Sequence, residues 1–339
     1  MTRTAATTEV ITRAIRLACR APSLHNSQPW RWLVGETEVG LFADYRRVVR
    51  SADRSGREAI ISCGAALDHL LVGMIAAGWS TNVKRFPDPG NRDYLASLDF
   101  SPTDRDPTTA DRARVDAITS RRTDRLPFRT PPDWDGFERM LRTTSELGTV
   151  SLDVLPDGAR PRLAEASRGT EAFRRSDDYY RDELRWWTDP LRRYEGVPAS
   201  ALVSEDERER VDINREFPVT QISARRSDVE VDHAKVLVLS TPEDTRDDAL
   251  SCGQALSRVL LNCTVAGIAT CTLSHITEFA ESRAVIQDLI GSRAFPQVLI
   301  RAGEAPPTEA VPEPTPRRPL SEVMQICRSE RAFHESIRF

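Results

Sequence analysis

One internal repeat constrains this 339-residue chain more than any other feature. Ser62-Cys63-Gly64-Ala65-Ala66-Leu67 returns 189 positions later as Ser251-Cys252-Gly253-Gln254-Ala255-Leu256. Nine of the 20 positions from Ser62 to Thr81 match their mates without a gap. Both copies have helical periodicity. Leu67, Leu70, Leu71, Met74 and Ile75 in the first, and Leu256, Val259, Leu260, Cys263 and Thr264 in the second, follow the stripe of a helix that buries one face. Each stripe runs out at a glycine, Gly78 or Gly267, the usual stop residue of a helix. A repeat of this spacing predicts two related halves, each built around one long helix.

The elements around the repeat are of both kinds. Branched and aromatic residues predict strands at Trp30–Val34, Val39–Ala43, Val150–Leu155, Lys235–Ser240 and Val298–Arg301. Helical patterns cover Glu9–Arg20, Asp111–Ser120, Phe137–Glu146 and Arg162–Arg185. The sequence WRWLV-GETE-VGLFA reads as a hairpin, so the sheets are mixed and mainly antiparallel, and the class is α+β. The expected division is a first half at 1–105, a second half at 106–325 and an unassigned tail at 326–339. Two segments of the second half break the repeat. Residues 176–230 carry Tyr179, Tyr180, Trp186, Trp187, Tyr194 and Phe217 among dense charges, which fits either a lid or an ordinary surface helix with half-buried rings. At 306–319, six of 14 residues are proline, which makes an extended strap.

Composition removes several classes of function. Lys+Arg at 47 against Asp+Glu at 51 leaves a net charge of −4, with no bulk basic surface for nucleic acid or membrane. The longest nearly apolar run, Leu70 to Trp79, is short for a bilayer span, and MTRTAATTEV lacks the apolar core of a secretory signal, so the expectation is a soluble cytoplasmic protein. The six cysteines form no C-x-x-C pair and read as free, buried thiols; no metal site is expected. Zincin, serine-hydrolase, P-loop and Rossmann strings are missing as well.

Two polar strings remain. Arg20-Ala21-Pro22-Ser23-Leu24-His25-Asn26-Ser27-Gln28-Pro29-Trp30 joins the first helix to the first strand. Ser120-Arg121-Arg122-Thr123-Asp124-Arg125 offers three guanidiniums and two hydroxyls, enough to surround a phosphate; alone, such a string is more often a solvated face.

Taken together and in this order, the strings A-P-S-x-x-N-x-Q-P-W and R-R-T-x-R and the repeated long helix resemble the FMN-dependent nitroreductase fold over nearly the whole chain, specifically the Acg-type NAD(P)H nitroreductases. The wider superfamily is dimeric, each FMN site taking its Arg-rich clamp from one subunit and its Pro-Ser-x-x-Asn loop from the other. Here the clamp lies in the second half and the loop in the first. The resemblance therefore implies a fused pseudo-dimer, monomeric as a unit, with one competent FMN site and one degenerate site.

By that resemblance Arg121, Arg122 and Arg125 hold the FMN phosphate with Thr123 beside them, and Arg317 or Arg318 returns to it after the strap. Ser23 and Asn26 bond the ribityl chain or phosphate edge, with Gln28 in the same loop or supporting it. Thr272, Leu273 and Ser274 face flavin N5 with backbone donors. The resemblance also implies NAD(P)H as reductant and a small-molecule electron acceptor; it identifies no catalytic side chain. His25, His69 and His275 read first as packing residues. The alternative function is a flavin-sequestering protein with little turnover, in which the 176–230 insertion puts Trp186, Trp187 or Tyr194 over the flavin.

Overall fold

In the computed structural model, which describes residues 6–145, 147–221, 223–306 and 314–337, the repeat is visible as geometry. Its two copies are 20-residue helices, α2 (Arg57–Ala76) and α8 (Arg246–Val265), whose ends keep the 189-residue offset. They cross at the repeated glycines. A Cβ built on Gly64 would lie 2.2 Å from the Leu250 carbonyl oxygen, and one on Gly253 would lie 2.0 Å from that of Ile61. Only glycine allows so close an approach, and the reciprocity places the pseudo-twofold axis between the two residues. The amphipathic stripe read from the sequence understates α2, which is buried on almost every side. Its length and apolarity would suffice to cross a membrane, but 78% of that stretch is buried inside the protein, packed in the shared core.

Around this helix pair, α1 (Thr8–Ala18), β1 (Trp30–Val34), β2 (Val39–Ala43), β3 (Trp79–Arg85), β4 (Tyr94–Pro102), α3 (Thr109–Ser120) and α4 (Trp134–Thr144) lead into the second half. There follow β5 (Ser151–Leu155), α5 (Arg160–Arg175), α6 (Asp178–Trp187), α7 (Glu205–Glu209), β6 (Lys235–Thr241), β7 (Ala269–Leu273), α9 (Ala280–Ile290) and β8 (Phe295–Gly303). The chain closes with α10 (Leu320–Val323), β9 (Met324–Ile326) and α11 (Glu330–Ile337).

The two sheets have matching orders, β3-β4-β2-β1 in the first half and β7-β8-β6-β5 in the second, and all these pairings are antiparallel. One strand breaks the match. β9 adds in parallel to β1, Trp32 opposite Met324, and α11 follows it and buries Phe333 against Leu33 and Phe42. The tail that the sequence leaves unassigned thus begins at the end of this strand and, through Phe333, packs on the first half. Of the proline-rich strap, 307–313 lie outside the described residues; 314–319 run without regular structure toward α10.

The helix expected over Arg162–Arg185 is two helices. The Asp177 carboxylate accepts from the Tyr180 amide and caps α6, which ends α5 two residues earlier. All six cysteines are buried and free, as their spacing suggests.

Candidate functional site

Two adjoining cavities of about 900 and 890 Å³ open where the halves meet, and Pro22, Ser23, His25, Thr123 and Arg125 line both. The ends of α1 and α3 converge on the second cavity and bring Arg20, Arg121 and Arg122 together. The buried Arg121 guanidinium makes no hydrogen bond or ion pair among the described residues, and its Nε is enclosed without a partner. Burial, with the charge of Arg20 adding to it, holds its pKa down to about 10. Arg317 joins the cluster from the strap and is lowered to about 9, by burial and then by Arg20 and Arg121. Cations gathered without a carboxylate are a ready anion site.

The loop holding the clamp keeps its own carboxylate out of the cluster. Asp124 turns away and is taken by Arg226 at 2.6 Å. Farther on, the Phe128 amide donates to Asp232, which itself pairs with the fully buried Arg301 at 2.7 Å.

Of the two arginines expected to return to the phosphate, Arg317 lines the cavity and Arg318 does not, which corrects the second. Arg317 reaches the cluster, but its guanidinium donates to the carbonyls of Cys19, Arg20, Thr315 and Pro316, so it fastens the strap to the last carbonyls of α1. Arg318 faces away. Its backbone N–H donates to the Gln28 side-chain oxygen at 2.9 Å and its Nε to Glu322 at 3.2 Å.

The loop from Ser23 to Gln28 is strained, with φ of +49°, +58° and +50° at His25, Asn26 and Gln28. Such conformations in non-glycine residues concentrate at ligand sites. Gln28 is fully buried and lines neither cavity. Its amide donates to the carbonyls of Asn26 and Tyr194, so it supports the loop. The Asn26 amide donates to the Gly196 and Pro316 carbonyls, each at 3.1 Å, and so ties insertion and strap to the cavity wall. Ser23 Oγ accepts from the Gln28 amide at 3.0 Å.

At the wider end, Thr272, Leu273 and Ser274 line the cavity at the end of β7. His25 is buried on the wall of both cavities. Both its ring nitrogens are enclosed without partners, and burial, with Arg215 and Arg125 adding, keeps it neutral. His275 also lines the cavity, its Nε2 2.8 Å from Ser167 Oγ, whereas His69 is buried away from it on α2.

Sequence reasoning singles out Phe217 only as one ring of the insertion, and it misses Arg215 and Glu58. Phe217 lies edge-on to His25 at 5.4 Å and beneath Arg125 at 4.8 Å. Arg215 donates to Tyr180 at 2.9 Å, to Ser274 at 3.2 Å and to Glu278. Glu58, in the first turn of α2, is buried on the wall with Arg57 at 2.6 Å. Extending the repeat four residues upstream of Ser62 would have found Glu58, since Arg57-Glu58 has the mate Arg246-Asp247. Arg215 and Phe217 sit in irregular chain without a mate.

The insertion lines part of the cavity, and not with Trp186, Trp187 or Tyr194. Val203, Asn214, Arg215 and Phe217 face it. Trp187 is buried with Val49 and Ala52 of the first half, while Trp186 and Tyr194 are exposed. The docking is polar as well: Glu195 pairs with Arg47, and Glu183 accepts from the Ser51 amide at 2.8 Å.

The symmetry mate of this cavity is built differently. At the position of Ser274 the first half has Arg85, which reaches Asp247 at 3.2 Å, Ser251 at 2.6 Å and Gln254 at 2.6 Å. Asp247 and Ser251 are the mates of Glu58 and Ser62.

The cleft between the halves thus has guanidiniums without a carboxylate partner among the described residues at one end, and rings and the end of a strand at the other. Its relatives are specific. No family model matches the chain. It is 53% identical over 326 residues, 96% of its own length and 98% of the relative's, to the protein of Mycobacterium tuberculosis named "Putative NAD(P)H nitroreductase acg". It is 37% identical over 320 residues, 94% of this chain and 91% of the relative, to "Putative NAD(P)H nitroreductase Rv3131" of the same species. Among solved structures, the FMN-dependent nitroreductase NfnB from Mycobacterium smegmatis, in complex with NADPH, is 20% identical with a TM-score of 0.41, covering 64% of this chain and 99% of that one. The chain belongs to the nitroreductase family, in the group of the acg protein.

Proposed function

We propose that the chain binds one FMN in the composite cleft and acts as an NAD(P)H-dependent oxidoreductase of nitroreductase type. The observation that carries this reading is the cluster of Arg20, Arg121 and Arg122, buried or half-buried beside a ring-lined cavity and without a carboxylate partner among the described residues. A dianionic phosphate is the charge that such a cluster lacks. Arg125, Thr123 and Ser23 border both cavities and suit the ribityl chain between them.

When bound, FMN supplies the two-electron chemistry, accepting hydride from NAD(P)H and passing electrons to a small-molecule acceptor. The protein's part is position and charge. Arg121 and Arg122 neutralise the phosphate; Arg317 and Asn26 hold strap, loop and insertion in register; the strand-end residues 272–274 present polar groups to the ring. One site per chain is supported by Arg85, which occupies the mate of the wider cavity. We read residues 1–105 and 106–325 as the two halves, with the C-terminal strand returning to the first. The unit is then a monomeric pseudo-dimer working in the cytoplasm on small molecules, with no role at nucleic acid or membrane.

The docked insertion favours a second reading, flavin sequestration with little turnover, because Phe217 and Val203 stand on the cavity. Anaerobic mixing of the FMN-loaded protein with NADPH separates the two. Rapid bleaching of the flavin's visible band supports the reductase. Slow bleaching that accelerates in Glu195→Ala, which loses the pair to Arg47, supports sequestration.

A further inference from the structure

Four buried or enclosed carboxyls face three guanidiniums beside the wider cavity. Arg57 pairs with Glu58, and Arg174 and Arg215 share Glu278. Asp53 accepts from the Ala59 amide at 2.9 Å, and Glu171 keeps one oxygen enclosed without a partner. This cluster has one negative charge too many to bury comfortably, and desolvation favours holding a proton on one member. Of the four, only Glu58 lines the cavity.

We propose that the Glu58 carboxyl is the redox-linked proton site of the bound flavin, an inference that rests on the FMN reading above. Hydride from NAD(P)H brings two electrons and one proton, leaves NAD(P)⁺ and makes the cavity one negative charge richer. A solvent proton that binds the Glu58 carboxylate restores the balance. When an acceptor then takes two electrons and two protons, one proton leaves with the hydride equivalent and the other comes from Glu58. The sum is NAD(P)H, acceptor and one proton giving NAD(P)⁺ and reduced acceptor.

The surroundings suit this exchange. Burial raises Glu58 to about 7; Asp53 and Glu278 also raise it, while Arg57 and Arg215 lower it, so its charge is poised near neutral pH. A new negative charge nearby shifts it upward. Its mate Asp247 is half-exposed beside Arg85 and has no such environment.

The test is the pH dependence of the midpoint potential of bound FMN, which reports protons taken up per two electrons. At pH 8 the unmodified protein should take up about one proton more than Glu58→Gln, and below about pH 5 the two should agree, because Glu58 is then protonated in both redox states. Glu58→Asp keeps a carboxyl and should keep the extra proton; it also carries the test if Glu58→Gln fails to fold. Equal uptake by Glu58→Gln and the unmodified protein at pH 8, or loss of the extra proton in Glu58→Asp, overturns the assignment while leaving the FMN reading intact. A folded protein that holds no FMN overturns both.

Discussion

The two ends of the pseudo-twofold axis start from the same parts and finish differently. Each has a long helix with an acid in its first turn and a serine one turn on: Glu58 and Ser62 at one end, Asp247 and Ser251 at the other. Each faces the end of a strand. At the first end that strand finishes near the small Ser274, and a cavity remains. At the second end the equivalent residue is Arg85, whose guanidinium takes up the acid and the serine together. The surroundings differ too, since the guanidinium cluster and the 176–230 insertion stand only by the first end. The repeat supplies two similar frames, and a few side chains make their surroundings different.

That comparison can be broken at its axis. If Gly64 and Gly253 are equivalent, Gly64→Ala and Gly253→Ala should destabilise the protein about equally, by roughly 3 kcal/mol each, since either Cβ meets a helix carbonyl that cannot move aside. Chemical denaturation of both variants checks it. A large cost for one and none for the other would mean that the halves do not meet symmetrically.

A smaller effect tests the clamp against the loop. Arg121→Ala should weaken FMN binding by about 10–100-fold, the loss of a sheltered charged donor worth roughly 1.5–3 kcal/mol. Asn26→Ala should weaken it less, by up to about tenfold, because its amide acts through Gly196 and Pro316 rather than by charge. Titration followed by flavin fluorescence reads both. An Asn26 effect larger than that of Arg121 would reverse the roles of the two ends of the cleft.

The order of legibility follows from physics. The hairpin of β1 and β2 could be read residue by residue, because both strands are buried on nearly every position and dense in branched and aromatic side chains. β3 could not: Trp79–Arg85 is largely exposed and polar, so no apolar alternation marks it. β9 is three residues long, too short for any periodicity, and its place depends on pairing with a strand some 290 residues away. In the site, the Arg121–Arg125 string and the Ser23–Asn26 loop announce themselves by composition. Phe217 stands out only as one of the insertion's rings and Arg215 not at all, because irregular chain has no period and their partners are far off in sequence. Arg317 shows the limit of motif reading from the other side. Its arrival at the cluster follows from the resemblance, but that its donors go to backbone carbonyls depends on where α1 ends.

The smallest expected effect belongs to the second end. Arg85→Ala removes a half-exposed ion pair and should change stability by no more than about 1 kcal/mol. It should open no second FMN site, since no guanidinium cluster stands there to receive a phosphate. A second equivalent of bound FMN in this variant would mean that the arginine alone had kept the mate closed.

The most direct test of the account is the number of FMN molecules held by the unmodified chain after saturation and removal of free flavin, read from flavin absorbance against protein concentration. Two frames with one clamp predict about one FMN per chain, lost in Arg121→Ala and unchanged in Arg85→Ala. Two equivalent flavins per chain, or a folded protein that takes up none, would contradict it.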